Sequence, residues 1–195
     1  DDDFEAFIMA IKKGDLLQVM AMLARGMDVN QHDARGSTPL IEAADAGEYS
    51  ITGLLLKQGA KPNATNKNGY TALLEAADHG YTDVVRLLLD EGADVNQASH
   101  SGFTPLMESA YDGQYEITMM FLQHGAEVNA QTSAGTTALM DAAKGGYEDI
   151  IIILLEAGAD IHPKDLDGET AWTKAFMNRH YQVAKLLKEN GAKAV

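Results

Sequence analysis

The sequence predicts an all-α fold, a solenoid made of stacked helix-turn-helix units. The first observation behind this prediction is that glycines recur every 33 residues in three separate ladders. The second is that two short helical segments lie between the glycines of each repeat. The third is that one helix pair of this length cannot bury its apolar face alone and must stack on its neighbours. The ladders consist of Gly26, Gly59, Gly92, Gly125, Gly158 and Gly191; of Gly36, Gly69, Gly102, Gly135 and Gly168; and of Gly14, Gly47, Gly80, Gly113 and Gly146.

The first helix of a unit has a clear start and a clear stop. Thr38-Pro39 and Thr104-Pro105 indicate an N-capping threonine followed by proline at the first helical position, where the missing N–H costs nothing. The stretch TALLEAADHG, residues 71–80, then runs for about two turns and stops at glycine. It predicts a short first helix.

The second helix follows a tight turn. The stretch YTDVVRLLLDEG, residues 81–92, has a broad apolar face and ends at glycine. The next stretch, ADVNQASHSG, is polar and too short for a helix, and it predicts an extended turn that leads into the next unit.

These motifs resemble the ankyrin repeat: the pattern G-x-T-P-L-x-x-A-A-x-x-G, then an apolar helix, then G-A-D-V-N. The resemblance implies a single domain over residues 1–195, with hairpin loops that project from stacked helix pairs. It also implies a concave surface of hairpins and first helices, and a role in binding other proteins. The six expected units are 3–35, 36–68, 69–101, 102–134, 135–167 and 168–195, of which the first and last are capping units.

The chain departs from the family pattern after Thr-Pro-Leu, where the motif usually has histidine. Ile41, Leu74, Met107, Met140 and Thr173 stand there, so apolar packing is expected to replace a polar tie between units. In the last unit Trp172 replaces the motif's leucine and is expected in the core.

The end units are expected to be polar caps. The first opens with DDDFEAFIMAIKKG, and its acids are expected before the helix, near the positive end of the helix dipole. The last carries Lys185 and Lys188 in its final helix.

The composition limits the possible partners. A formal net charge of -14 disfavours nucleic acid and anionic membrane surfaces and favours a protein partner with a basic or neutral surface. The absence of cysteine excludes disulfides and thiol chemistry. No apolar run approaches the roughly 18 to 20 residues that cross a bilayer. We expect a soluble monomer, cytoplasmic or, if a signal segment was removed, periplasmic.

Catalysis, metal binding and cofactor binding are all disfavoured by the motifs. The six histidines form no H-E-x-x-H pair and no pair at i, i+4. The chain has no phosphate-binding loop and no nucleophile elbow. The prediction is therefore no enzyme, no metal and no cofactor.

An acidic residue recurs inside the apolar run of the first helices, at Glu42, Glu75, Glu108 and Asp141. One turn later stand Asp45, Asp78, Tyr111 and Lys144. The like-charge pairs in this pattern weaken an isolated helix by roughly 0.2 to 0.5 kcal/mol each, so helix stability does not explain them. Two interpretations remain open: a solvated polar face, or a recognition strip that steers a cationic partner.

The hairpin tips are the second candidate surface, since their residues vary on a constant framework. Tyr70, Phe103 and Tyr111 could form an aromatic anchor cluster, although an aromatic side chain there could also pack on the next hairpin. The predicted partner-binding residues are Arg35, Glu42, Asp45, Asn68, Tyr70, Glu75, Asp78, Ser101, Phe103, Glu108, Tyr111, Asp112, Asp141 and Lys144.

The function predicted from the sequence is a non-enzymatic module that binds a partner protein and masks or regulates it. Two alternatives stay open. One is an inhibitor or immunity-type protein of bacterial kind that blocks the active site of a basic enzyme. The other is a stable scaffold with no natural target, which the free variation between units disfavours.

Overall fold

The computed structural model describes residues 2–193. Within that range the chain forms twelve α-helices and no strand, as the sequence predicts. The helices are α1 (Asp2–Lys12), α2 (Leu16–Ala24), α3 (Pro39–Asp45), α4 (Tyr49–Lys57), α5 (Ala72–Asp78), α6 (Thr82–Asp90), α7 (Pro105–Tyr111), α8 (Tyr115–Gln123), α9 (Ala138–Gly145), α10 (Glu148–Glu156), α11 (Ala171–Met177) and α12 (Tyr181–Glu189).

The helices belong to two compact units, residues 2–100 with α1–α6 and residues 101–193 with α7–α12. In the first unit α3 packs against α1, α5 and its own partner α4. In the second unit α9 packs in the same way against α7, α11 and α10. The first helix of the middle repeat of each unit, α3 or α9, therefore packs against the first helices on both sides of it. That the whole chain forms a single domain stays a prediction.

The helix starts follow from capping. The hydroxyl oxygen of Thr38 accepts a hydrogen bond from the Ile41 N–H at 3.3 Å, and Thr71, Thr104, Thr137 and Thr170 cap their helices in the same way. This confirms the predicted caps. The acids of the N-terminal repeat, however, lie in the first turn of α1 itself rather than before it, where the helix dipole still favours them.

Trp172 is not a core residue, contrary to the sequence prediction. Its indole is half-buried and stacks on Phe176, with ring centroids 5.0 Å apart. The buried positions of α11 are the small residues Ala171 and Ala175, which let neighbouring helices approach closely. A bulky ring at position 172 is therefore accommodated at the margin of the repeat.

An asparagine ladder, made of Asn30, Asn63 and Asn129, ties the turn after the second helix of one repeat to the same turn of the next repeat within each unit. The side-chain amide of Asn30 donates to the Gly59 carbonyl oxygen, and its oxygen accepts from the Lys61 N–H, both at 3.0 Å. Asn63 and Asn129 make the equivalent pairs of bonds 33 and 99 residues further along the chain. These bonds satisfy backbone groups just past a helix end, which the helix itself leaves unpaired.

Replacing Asn30 by alanine is expected to lower the free energy of unfolding by about 1 kcal/mol, because Lys61 loses its acceptor and Gly59 its donor. Amide hydrogen exchange at Lys61 should become faster. Asn30→Asp is the matched control, since it keeps an acceptor for the Lys61 N–H and should preserve much of the protection. Unchanged exchange at Lys61 in Asn30→Ala would show that the ladder contributes nothing there.

Candidate functional site

The acid that recurs in the first helices is largely buried. Glu42, Glu108 and Asp141 are 4%, 6% and 5% exposed, whereas Glu75 is half-buried. The interpretation of these acids as a solvated polar face is therefore wrong for three of the four. Glu42 and Asp141 lie on helices α3 and α9, which pack against both neighbouring first helices of their unit, and this packing covers the position four residues after the capping threonine.

Glu42 is neutralised by two cations in the first unit. Lys12 Nζ lies 2.6 Å from its Oε2 atom and Arg35 Nη2 lies 2.9 Å from its Oε1 atom. Arg35 also donates from Nε to Asp33 Oδ2 at 3.0 Å, so its exposed guanidinium is held at both ends. Glu42 thus fixes Arg35 and is itself inaccessible to a partner.

Glu75, one repeat further on, has a different electrostatic environment. Burial, together with the smaller effect of the negative charges of Asp45 and Asp78, raises the pKa of its carboxyl to about 7. His79 has the opposite effect. Asp45 and Asp78 expose 42% and 48% of their side chains, so the negative charge around Glu75 reaches the surface.

In the second unit, burial raises the pKa of Asp141 to about 7, although the nearby Lys144 and Lys174 lower it. One carboxyl oxygen of Asp141, Oδ2, is buried without a hydrogen-bond partner. The surroundings of Asp141 therefore favour the neutral form of its carboxyl group.

Lys174 occupies, in the last repeat, the position that an acid holds in the four repeats before it. Its ammonium group lies 2.6 Å from Asp165 Oδ2 and 2.9 Å from Glu169 Oε2. Burial lowers the pKa of Lys174, but the hydrogen bonds to these carboxylates outweigh it and raise the value. The same bonds hold the pKa of Asp165 below its usual range in spite of burial.

The turns between repeats are built by a side chain that sequence reasoning missed. The Asp33 carboxylate accepts hydrogen bonds from the backbone N–H groups of Arg35 and Ser37, each at 2.8 Å. Asn66, Thr132 and Asp165 make the equivalent bonds in other repeats. The signal was present in the sequence, because positions 33, 66, 99, 132 and 165 all carry Asp, Asn, Ser or Thr.

Successive turns are joined to each other by backbone hydrogen bonds inside each unit. The Lys67 N–H donates to the Arg35 carbonyl oxygen, and the His100 N–H donates to that of Asn68, both at 2.9 Å. In the second unit the Ser133 N–H donates to Ser101 and the Leu166 N–H to Ala134, again at 2.9 Å. The turn residues thus lie on a fixed backbone, from which the side chains of Arg35, Asn68 and Ser101 face solvent.

A groove of about 470 Å³ in the first unit runs between these turns and the first helices. It brings together five of the predicted partner-binding residues. They are Arg35, Glu42, Asp45, Asn68 and Glu75. Lys67 also lines it.

The remaining predicted residues are divided between the units. Tyr70 is half-buried in the first unit; Phe103 is half-buried and Ser101, Tyr111 and Asp112 are exposed in the second. The ammonium of Lys144 stands 6.0 Å from the centroid of the Tyr111 ring. The cluster of Tyr70, Phe103 and Tyr111 stays a prediction.

One group of side chains near the groove could hold a metal ion, although the sequence predicted none. Asp45, Glu75 and His79 each offer a ligand atom, and the three atoms lie within 4.8 Å of one another. The spacing of the histidines in the sequence does not indicate this group, because its other two members are carboxylates. Glu75 and His79 are themselves four residues apart, but Asp45 comes from the preceding repeat.

The chain is a helical repeat protein: its helix pairs are capped, side chains stabilise its turns, and hydrogen bonds join successive turns. The residues that vary between repeats lie on the turns and first helices. The family model for ankyrin repeats matches the chain three times, over residues 7–99, 95–165 and 132–195. The chain therefore belongs to the ankyrin-repeat family, and it is a protein-protein interaction module.

The mouse 2-5A-dependent ribonuclease is a curated relative of part of the chain. The two are 41% identical over 56 residues, which is 28% of this chain and 8% of the ribonuclease. This chain thus spans a small fraction of the length of that relative. Within residues 2–193, no helix combines the length and apolar character needed to span a membrane.

Proposed function

We propose that the chain binds a partner protein with a basic surface through its turns and first helices, and that binding masks or regulates the partner. In this proposal the chain carries no chemistry of its own. The observation that supports it best is the crowding of Asp45 and Asp78 around Glu75, which contributes to raising the pKa of Glu75 to about 7. A cationic side chain of a partner would favour the ionised form and relieve this repulsion.

The groove beside this acidic group contains a cation that is held in a fixed position. Arg35 is exposed over 70% of its side chain, yet Asp33 and Glu42 hold its guanidinium in place. A group that is already ordered loses little conformational entropy on binding. We therefore expect Arg35 and Asn68 to contact the partner directly, and the buried Glu42 to act through Arg35.

In the second unit the proposal places the contact at Tyr111 and Asp112, both exposed, with Lys144 beside the tyrosine ring. Exposed tyrosine is among the residue types enriched at binding hot spots. Ser101 and Phe103 belong to the same proposed surface, as does Tyr70 in the first unit. The buried Glu108 and Asp141 are expected to affect binding only by way of their neighbours.

Charge reversal at the exposed acids tests this function. The wild-type chain is used to isolate a partner from its native source by cross-linking and mass spectrometry, and association is then followed by stopped flow at low salt with a chelator present. The double variant Asp45→Lys with Asp78→Lys should slow association by at least 10-fold, because electrostatic steering is worth roughly 10 to 1000 fold in rate.

The matched control is Asp90→Lys with Glu91→Lys, which makes the same change in net charge at exposed positions at the end of α6. It should slow association much less. Equal slowing by both variants would show that net charge alone causes the effect. An unchanged association rate in the Asp45→Lys, Asp78→Lys variant would refute steering by this surface. Where the partner is an enzyme, an activity assay on the complex separates inhibition from tethering.

A further inference from the structure

His79 and two carboxylates form a compact group on two neighbouring first helices, α3 and α5. Asp45 is the last residue of α3, Glu75 lies in the first turn of α5, and His79 is the residue that follows α5. His79 Nε2 lies 3.7 Å from Asp45 Oδ1. Asp45 and Glu75 are half-buried and His79 is exposed, so an ion could enter from solvent.

We propose that Asp45, Glu75 and His79 bind a divalent transition-metal ion of the Zn²⁺ class. One imidazole and two carboxylates are a ligand set that Zn²⁺ accepts, and a water molecule would complete a four-coordinate site. The proposal is independent of partner binding.

The imidazole of His79 is already oriented as a metal ligand. Its Nδ1 atom lies 3.1 Å from the Glu75 carbonyl oxygen, and since that oxygen can only accept, Nδ1 carries the proton. The lone pair is then on Nε2, the atom that faces Asp45. The ring also stacks on Tyr81, with centroids 5.5 Å apart and planes 16° apart. Metal-bound histidines characteristically donate from their second nitrogen in this way.

The charges around His79 favour a cation. Three carboxylates, those of Asp45, Glu75 and Asp78, surround it, and Asp78 Oδ2 lies 3.5 Å from Nδ1. Glu42, by contrast, is already satisfied by Lys12 and Arg35 and is not a ligand. A dication would balance the negative charge of these carboxylates.

The repeat register shows that this combination is peculiar to one pair of repeats. The positions equivalent to Asp45 in other repeats carry Lys12, Asp78, Tyr111, Lys144 and Met177. Those equivalent to His79 carry Lys13, Ala46, Asp112, Gly145 and Asn178. No other repeat has a histidine at the position of His79. The combination of this histidine with an acid at the position of Asp45 in the preceding repeat therefore occurs once among these repeats.

Isothermal titration of tag-free protein with ZnCl₂, after treatment with chelator, tests the proposal. We expect one equivalent of zinc to bind, and binding to weaken at least 10-fold in His79→Ala and in Asp45→Asn. His124→Ala is the matched control, because His124 also follows a helix and its Nδ1 atom lies 2.8 Å from the Met120 carbonyl oxygen. It should bind zinc as wild type does.

Histidine NMR of the wild-type protein gives a readout that needs no variant. Zinc should shift the ring signals of His79 and leave those of His124 unchanged, while Mg²⁺ and Ca²⁺ at the same concentration should shift neither. Absence of stoichiometric binding at millimolar zinc would overturn the proposal. So would equal losses in the His79 and His124 variants, or shifts spread over all histidines.

Discussion

Replacing Asp141 by asparagine should stabilise the protein progressively as the pH rises, by about 3 to 4 kcal/mol more at pH 8 than at pH 4. Burial raises the pKa of this carboxyl from 3.8 to about 7 in the folded chain. Between these two values the unfolded chain releases the proton and the folded chain keeps it, so wild-type stability falls as pH rises. A difference of about three pKa units corresponds to about 4 kcal/mol.

Urea unfolding of both proteins from pH 4 to pH 8 measures this effect. Asparagine places an amide where the Oδ2 atom has no hydrogen-bond partner, which costs about 1 to 3 kcal/mol independently of pH. The comparison therefore rests on the change with pH rather than on either value alone. Asp167→Asn removes the same charge from an exposed position of the same unit. A constant difference between wild type and Asp141→Asn across the range would contradict the prediction.

The second large effect is expected from Gly69→Ala, which should lower the free energy of unfolding by about 3 kcal/mol. Gly69 has φ +81°, a left-handed conformation that costs an L-residue about 1 to 2 kcal/mol. A methyl group there would also lie 2.7 Å from the His100 backbone nitrogen and 3.1 Å from the Ser99 carbonyl carbon. These are backbone atoms of the next turn, and overpacking of this kind costs about 1 to 3 kcal/mol.

Gly92→Ala is the matched control for Gly69→Ala. Its φ is +89°, but a methyl group there would have nothing within 4 Å, so only the conformational strain remains. It should cost about 1 to 2 kcal/mol. Chemical unfolding of both variants, with hydrogen exchange at the His100 amide, checks the difference. Equal destabilisation would show that contact between successive turns is not what requires glycine at position 69.

Helix pairs and caps could be predicted because each depends on residues close together in the chain. Thr71 caps α5 through the N–H three residues on, and Asp33 closes its turn through the N–H groups of Arg35 and Ser37. Such local chemistry repeats whenever the residue types repeat. The turn-forming ladder from Asp33 to Asp165 and the asparagine ladder from Asn30 could have been found by the same reasoning.

The site was less predictable because its properties depend on what surrounds each residue. Glu42 and Glu75 occupy the same register position and look equivalent in the sequence, but Lys12 and Arg35 neutralise only the first. His79 seemed isolated because the acid it faces, Asp45, lies 34 residues away. Trp172 was expected in the core because the motif has leucine there, and it lies at the margin instead.

The sequence by itself determined the period, the helix pairs and the family, since periodicity and capping act through hydrogen bonds and apolar spacing within one repeat. Only the tertiary structure decided which acids are buried, which are neutralised and which remain as a negative group around Glu75. The physical reason is that desolvation and Coulomb interactions depend on distances between repeats. A side chain of the preceding repeat can thereby shift the pKa of a carboxyl group, as Asp45 does for Glu75.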